Sequence, residues 1–280
     1  VIKLIIVAGL FLVSCQLGPT KVVQQQDIQS AKISAKKLLE GPAVILDVRA
    51  PFEFNLSHVP GAINVRWEDF SQAQDRYKGL LQKDLFSMAR RLALVGIDPN
   101  TRVILLGKGS AGLGEEGRVA WTLKVLGVRE VHTLVHTSYR EMNALSEAPP
   151  IKNKSYWMPQ VDEDLDVDPK KFKIEIKKNK PETFVIDVRS PQEFALGSRK
   201  EIKKIKSLIH NISWDRFFDE QGSPRGGIEA DLQRLGITKD SSVFLISNRG
   251  VRSGAVTYAL DSLGYKNVSN VSGGYQLVSP

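Results

Sequence analysis

The chain has 280 residues, of which 42% are hydrophobic and 25% charged, enough apolar content for one large or two ordinary domains with real cores. Its 39 lysines and arginines against 31 acids give a formal charge of +8, and its single cysteine, Cys15, excludes an intrachain disulfide. The basic excess sits in runs such as Lys170-Lys171-Phe172-Lys173 and Lys200-Glu201-Ile202-Lys203-Lys204, which read as solvated helix faces, with an anionic membrane surface as the alternative. No aromatic-basic nucleic-acid motif is present, so no nucleic-acid partner is expected, and no metal or cofactor site is expected either.

Lys3 is followed by an apolar stretch from Leu4 to Val13 that is too short to span a bilayer comfortably. A charged start, an apolar middle and small residues after it have the shape of a secretory signal. The end of this stretch, Leu12-Val13-Ser14-Cys15, resembles the lipobox of bacterial lipoproteins. That resemblance implies a signal peptide over residues 1–14, cleavage before Cys15, and acylation of Cys15, so that membrane lipid holds the mature protein. An ordinary transmembrane anchor with an incidental cysteine is the competing reading. Gln16, not being aspartate, implies sorting to the periplasmic side of the outer membrane if the source is Gram-negative. Residues 15–34 are polar, without a steady apolar period, and read as a lipidated tether.

From there the chain is a duplicated unit. Ile45-Leu46-Asp47-Val48-Arg49-Ala50-Pro51-Phe52-Glu53-Phe54 matches Val185-Ile186-Asp187-Val188-Arg189-Ser190-Pro191-Gln192-Glu193-Phe194 at a separation of 140 positions, which also relates Gly96 to Gly236 and Val103 to Val243. Beyond that, Leu123, Leu126 and Gly127 match Leu260, Leu263 and Gly264 at a separation of 137. The period is far too long for a solenoid. Two domains are therefore expected, over residues 35–145 and 170–280, joined by a proline-rich, acidic linker over 146–169. Tyr156, Trp157 and Met158 within the linker suggest that it packs across the junction.

Each copy alternates short apolar runs with helical segments, so the fold class is α/β with a mainly parallel sheet flanked by helices. The predicted strands are Val44–Val48, Ile63–Val65, Val103–Leu106 and Val131–Val135, then Phe184–Val188, Ile209–Ile212, Val243–Ile246 and Val268–Val271. Trp67, Trp121 and Trp214 read as core aromatics, and His58 as a structural turn residue.

The chemistry centres on Ser247-Asn248-Arg249-Gly250-Val251-Arg252, between the strand ending at Ile246 and a helix with apolar positions at Ala255, Tyr258 and Leu260. A short strand-to-helix loop aims backbone N–H groups at one point and adds a helix N-terminus, which makes an anion cradle. Arg249 and Arg252 sit inside it.

The Asp-Val-Arg-x-Pro-x-Glu-Phe segments of both copies, His58-Val59-Pro60-Gly61-Ala62-Ile63-Asn64, the Ser247–Ser253 loop and Ser272-Gly273-Gly274-Tyr275 together resemble the rhodanese family in its tandem form, over residues 35–280. The resemblance implies sulfur transfer. A loop of form Cys-x-x-Gly-x-Arg carries a thiolate that takes sulfane sulfur from thiosulfate or a similar donor and passes it to cyanide or a protein thiol. Gly250 and Arg252 fit that form, and the cysteine position falls on Ser247. A persulfide needs a protein sulfur, and a serine nucleophile needs a base, which nothing in the sequence places beside Ser247.

In the first copy the cysteine position falls on Gly107, the loop is three residues longer, and counting back from Leu123 puts Glu115 in the place of Arg252. Gly107-x-Gly109-x-x-Gly112 matches the dinucleotide fingerprint, but the next strand ends at Val135-His136-Thr137 without the acid that would hold a ribose. The reading that follows is a membrane-anchored, catalytically inactive module whose Ser247 loop binds an anion, a persulfidated protein thiol or a partner's acidic side chain. The alternatives are sulfurtransfer by non-standard chemistry and phosphoester handling on the same loop.

Overall fold

The computed structural model describes residues 41–142, 152–178, 180–196 and 209–278. The signal segment, Cys15, the tether and the Lys200–Lys204 run lie outside them. Among the described residues, no helix is long and apolar enough to cross a membrane.

The first domain holds β1 (Val44–Asp47), α1 (Pro51–Leu56), β2 (Ile63–Asn64), α2 (Leu85–Leu94), β3 (Val103–Gly107), α3 (Glu115–Val125), β4 (Val131–Val135) and α4 (His136–Met142). Its sheet is parallel, in the order β2-β1-β3-β4, with Val44 opposite Val103 and Leu46 opposite Ile63. The second holds β5 (Asp166–Val167), α5 (Pro169–Lys177), β6 (Thr183–Asp187), α6 (Pro191–Leu196), β7 (Ile209–Asn211), α7 (Ile228–Arg234), β8 (Ser242–Ile246), α8 (Val251–Ser262), β9 (Asn267–Val271) and α9 (Gly274–Val278). Its strands, also parallel, run β5-β9-β8-β6-β7. The central strands β3 and β8 are continuous apolar runs because helices cover both faces of a parallel sheet.

The predicted strands sit where the apolar runs placed them, within a residue at each end. The departure is β5. Asp166 and Val167, read as linker, pair with Asn270 and Val271 as an edge strand of the second sheet. Two residues are too few to carry an alternation pattern, and only the neighbouring strand makes them extended. Ahead of β5 the linker crosses the junction, since the Asp164 and Leu165 carbonyls accept from Ser269 and Asn270 of β9 while the preceding residues lie along the first domain. Trp157 Nε1 donates to the Ile97 carbonyl at 3.1 Å, and the backbone N–H groups of Lys154 and Asp162 donate to Ala93 and Val125. Tyr156 stays at the surface beneath Arg90, 4.8 Å from its ring, and Met158 is exposed.

Helices α3 and α8 follow the two loops of interest and pack against each other. Both are buried nearly all round, from Glu116 to Leu123 and from Ser253 to Leu260, as a helix must be when it lies between two sheets. They approach closely because Gly117 faces Ala255, whose Cα would lie 2.8 Å from a side-chain carbon at position 117. Tyr258 donates its hydroxyl to the Val131 carbonyl at 3.1 Å, and Thr133 donates to Gly222 at 2.6 Å. Residues of both repeats, among them Leu46, Trp121, Ile186 and Leu260, share one core cluster. The two domains are thus joined by a common core, which fixes the backdrop of the Ser247 loop.

Candidate functional site

Strand β8 ends at Ile246 and α8 begins at Val251, so Ser247 to Gly250 must reverse the chain in four residues. Gly250 makes this turn as the helix N-cap with φ of +86°, a conformation that side-chain-bearing residues rarely adopt. The tight turn brings Gly250 N–H and Ser253 N–H to 3.1 and 3.4 Å from Ser247 Oγ. Ser253 spends its hydroxyl proton on Asn270 Oδ1 at 2.7 Å, so across the 3.1 Å contact between the two serines Ser247 is the donor. Ser247 is 1% exposed. Its lone pairs therefore receive loop amides and its proton points inward. From there Asn270 Nδ2 donates to Ser272 Oγ at 3.4 Å, and Ser272 donates to the Asp166 carboxylate.

This is the cradle the sequence predicted, holding a neutral hydroxyl where a thiolate would take the same hydrogen bonds. His58, His132 and His136 belong to the first domain and His210 to β7. Among the described residues none is a hydrogen-bond partner of Ser247, so no base is in position.

The charges differ from the expectation. Arg252 does not face an incoming anion. Its guanidinium forms a bidentate pair with Glu193, Nη1 to Oε2 at 2.6 Å and Nη2 to Oε1 at 2.8 Å, and it is 14% exposed. Asn248 Nδ2 adds a bond to Glu193 at 2.9 Å. The Arg252 hydrogen bonds are the main reason the Glu193 carboxyl is held down at about 2. Arg189 pairs with Asp187 at 2.7 Å, reaches Asn248 Oδ1 at 3.3 Å, and stacks on Tyr275. Arg249 is the cation that remains outward. Its partner is Asp75 of the first domain at 3.3 Å, with side chains 43% and 75% exposed, a pair that water and competing ions can exchange. Ser247 to Arg252 lie together in the turn and the start of α8, where Arg252 is paired with Glu193 and Arg249 is the loop cation whose pair is exposed. Sequence reading missed Glu193 as the partner of Arg252. The available signal was its recurrence, since Glu53, its counterpart, likewise pairs with a loop cation, Lys108, at 2.9 Å.

In the first domain β3 runs one residue past its expected end to include Gly107, and Gly114 takes the role of Gly250, an N-cap with φ of +80°. Along the helices the match runs at 137 positions, pairing Gly117 with Gly254, Val119 with Val256 and Leu123 with Leu260, which leaves Glu115 in the place of Arg252 and Glu116 in that of Ser253. The contacts keep this register, since Gly117 lies against Ala255 and Arg118 against Gly254, each pair the counterpart of the other. The cap comes one position later in the first copy, so that α3 begins at Glu115 where α8 begins at Val251.

Glu116 folds back over Gly107, and a side-chain carbon there would collide with its carboxylate. Glu116 Oε1 accepts from Gly109 N–H at 2.8 Å, while Oε2 is buried without a hydrogen-bond partner among the described residues. The first domain's cradle is thus filled by its own carboxyl, and Gly109, part of the dinucleotide-like pattern, donates to that carboxyl. A cavity of about 110 Å³ adjoins it, lined by Arg49, Arg66, Trp67 and Lys108 among others.

Burial, with the Glu115 charge beside it, pushes the Glu116 carboxyl up to about 7. An acid raised on folding takes up a proton between its unfolded and folded values, so stability should fall as pH rises from about 4.5 through 7. Glu116→Gln is expected to flatten this slope and to stabilise the protein at pH 8 by roughly 3 kcal/mol at most. Chemical denaturation at pH 5 and pH 8 checks it. An unchanged slope would show that Glu116 is solvated.

A family model described as "Rhodanese-like domain" matches residues 32–141 and 168–279. A Haloferax volcanii protein that bears the provisional name thiosulfate sulfurtransferase is 27% identical over 240 residues, which is 79% of this chain and 80% of that one. Among solved structures, the 3-mercaptopyruvate sulfotransferase SseA from Escherichia coli superposes with a TM-score of 0.66 at 19% identity, covering 87% of this chain and 97% of its own. The Tum1 protein from Saccharomyces cerevisiae gives 0.64 at 16% identity, with 89% and 92% covered.

Proposed function

Because the chain belongs to the rhodanese-like family yet has Ser247 at the loop's nucleophile position, we propose that it is a membrane-anchored binding module that does not transfer sulfur. The observation that carries this reading is the state of Ser247. Its oxygen is buried, takes two loop amides, and sends its proton inward to Ser253. A hydroxyl so held offers no free lone pair for attack, and it holds no sulfur to pass on. The first domain supports the same conclusion, since Gly107 has no side chain and Glu116 occupies its cradle.

Binding falls to the outer edge of the Ser247 loop. Arg249 can exchange Asp75 for the carboxylate of an acidic partner or for a small oxyanion. Acylated Cys15 would hold this surface to the cell envelope, on the extracytoplasmic side, with residues 15–34 as tether.

The test uses the full chain recovered from the membrane fraction of its expression host. Mass spectrometry is expected to find it cleaved before Cys15 and acylated there. With thiosulfate and cyanide it is expected to form no thiocyanate beyond a heat-killed control. Turnover above that control would overturn the inactive reading, and an uncleaved, unacylated chain would overturn the anchor.

A further inference from the structure

Arg118 belongs to the first domain, but one of its two hydrogen bonds reaches the second domain's loop and the other the first-domain segment pressed on that loop. It is 1% exposed and lies over the Trp121 ring, its guanidinium carbon 4.2 Å from the centroid. Nη1 donates to the carbonyl of Gly250 and Nη2 to that of Gly79, both at 2.9 Å. Gly250 is the left-handed cap that turns the Ser247 loop. Gly79 is the first-domain residue that presses on the same loop, where a side-chain carbon would collide with the Arg249 carbonyl and lie 2.7 Å from Gly273 Cα. One buried guanidinium therefore ties the loop's cap to the segment that closes over it.

The duplication shows that this contact is specialised. In the register of the matched helices the counterpart of Arg118 is Ala255 and that of Gly117 is Gly254, so the contact of Arg118 with Gly254 answers that of Ala255 with Gly117. A side-chain carbon on Gly254 would stand 3.1 Å from Arg118 Cδ. One repeat supplies the arginine and the other supplies the space. Burying a guanidinium costs several kcal/mol of hydration, which an apolar side chain of the same length would avoid. What the apolar side chain could not do is hold two carbonyls from different domains.

We propose that Arg118 is a positioning residue acting across the domain junction, holding the Ser247 loop in the form whose amides converge, so that binding by the second domain depends on a side chain of the first. This rests on the reading of the loop as a binding surface.

The experiment compares the full-length wild type with Arg118→Met, which keeps the stacking and removes both hydrogen bonds, and with Gly254→Ala, which displaces Arg118 without removing it. Hydrogen exchange is followed over Ser247–Ser253, with β6, in the same domain, as control. Both variants are expected to speed loop exchange about tenfold, the effect of losing one or two buried hydrogen bonds, while β6 stays at the wild-type rate. Wild-type loop exchange in a folded variant would overturn the proposal. So would equal acceleration of loop and β6, which would mean general destabilisation. If Arg118→Met does not fold, Gly254→Ala decides by the same criterion.

A second readout separates this inference from the reading beneath it. In a Ser247→Cys background the thiol is expected to ionise below the ordinary cysteine range, and adding Arg118→Met is expected to return it toward normal. A low value in both chains would sink the Arg118 proposal alone. An ordinary value already in Ser247→Cys would sink the cradle reading, leaving Arg118 to be judged by exchange.

Discussion

Ser247→Cys is expected to give a thiol that ionises about one unit or more below the ordinary value of about 8.5 and that takes a sulfur atom from thiosulfate. The thiolate would attack the outer sulfur of the donor, form the persulfide bond and release sulfite, so no further oxidant or reductant is needed. The basis is geometric. Gly250 N–H at 3.1 Å and Ser253 N–H at 3.4 Å already point at the side-chain atom of residue 247, and a thiolate would receive them as the hydroxyl does. The N-terminus of the 12-residue α8 adds its positive end. Turnover should nonetheless stay low, because Arg252 is committed to Glu193 and contributes little field at the donor's sulfonate. Alkylation rate against pH measures the first quantity, and a gain of one sulfur in the protein mass measures the second. A thiol of ordinary acidity that gains no sulfur would show that the loop amides do not converge in solution.

Trp121→Ala should be the most damaging truncation in the core, with a loss of about 3–5 kcal/mol. The indole is fully buried at the middle of α3, donates Nε1–H to the Leu165 carbonyl at 2.8 Å, and is the surface on which Arg118 lies. Its removal opens a cavity between the domains, takes one of two hydrogen bonds from the Leu165 carbonyl, which Asn270 N–H still holds, and unsupports a buried charge. Trp121→Phe keeps an aromatic ring under Arg118, and the hydrogen bond it loses is worth about 0.5–1.5 kcal/mol because Asn270 N–H still holds the Leu165 carbonyl. Urea titration monitored by circular dichroism and tryptophan emission checks both values. Since residues of both repeats share one core, the wild type should unfold in a single transition. Two separated transitions would show the domains to be independent, and a loss under about 1 kcal/mol in Trp121→Ala would show the site to be loosely packed.

Much of the molecule was legible in the order of residues. Central strands such as Val103–Gly107 and Ser242–Ile246 announce themselves because a strand buried on both faces must be apolar at every position. The duplication, the place of Ser247 and the absence of a side chain at Gly107 follow from aligning the two copies. Which of Glu115 and Glu116 turns inward was not legible, because neighbouring helix positions point about 100° apart and only the packing of α3 decides which is covered. Glu116 is the buried one, and its carboxylate lies over Gly107.

What sequence alone determined about this protein is the residue at the head of the loop, a serine where the family's pattern has a cysteine. What only the tertiary structure decided is the disposition of charge around that serine. Arg252 binds Glu193, Arg249 meets Asp75, and Arg118 reaches in from the other domain, across 59, 174 and 132 positions of chain. Hydrogen bonds between charged groups depend on distances of about 3 Å, and separation along the chain carries no information about which of many carboxylates and carbonyls will lie that close. The folded core sets those distances, and through them it leaves one exposed arginine on a loop whose reactive atom is already satisfied.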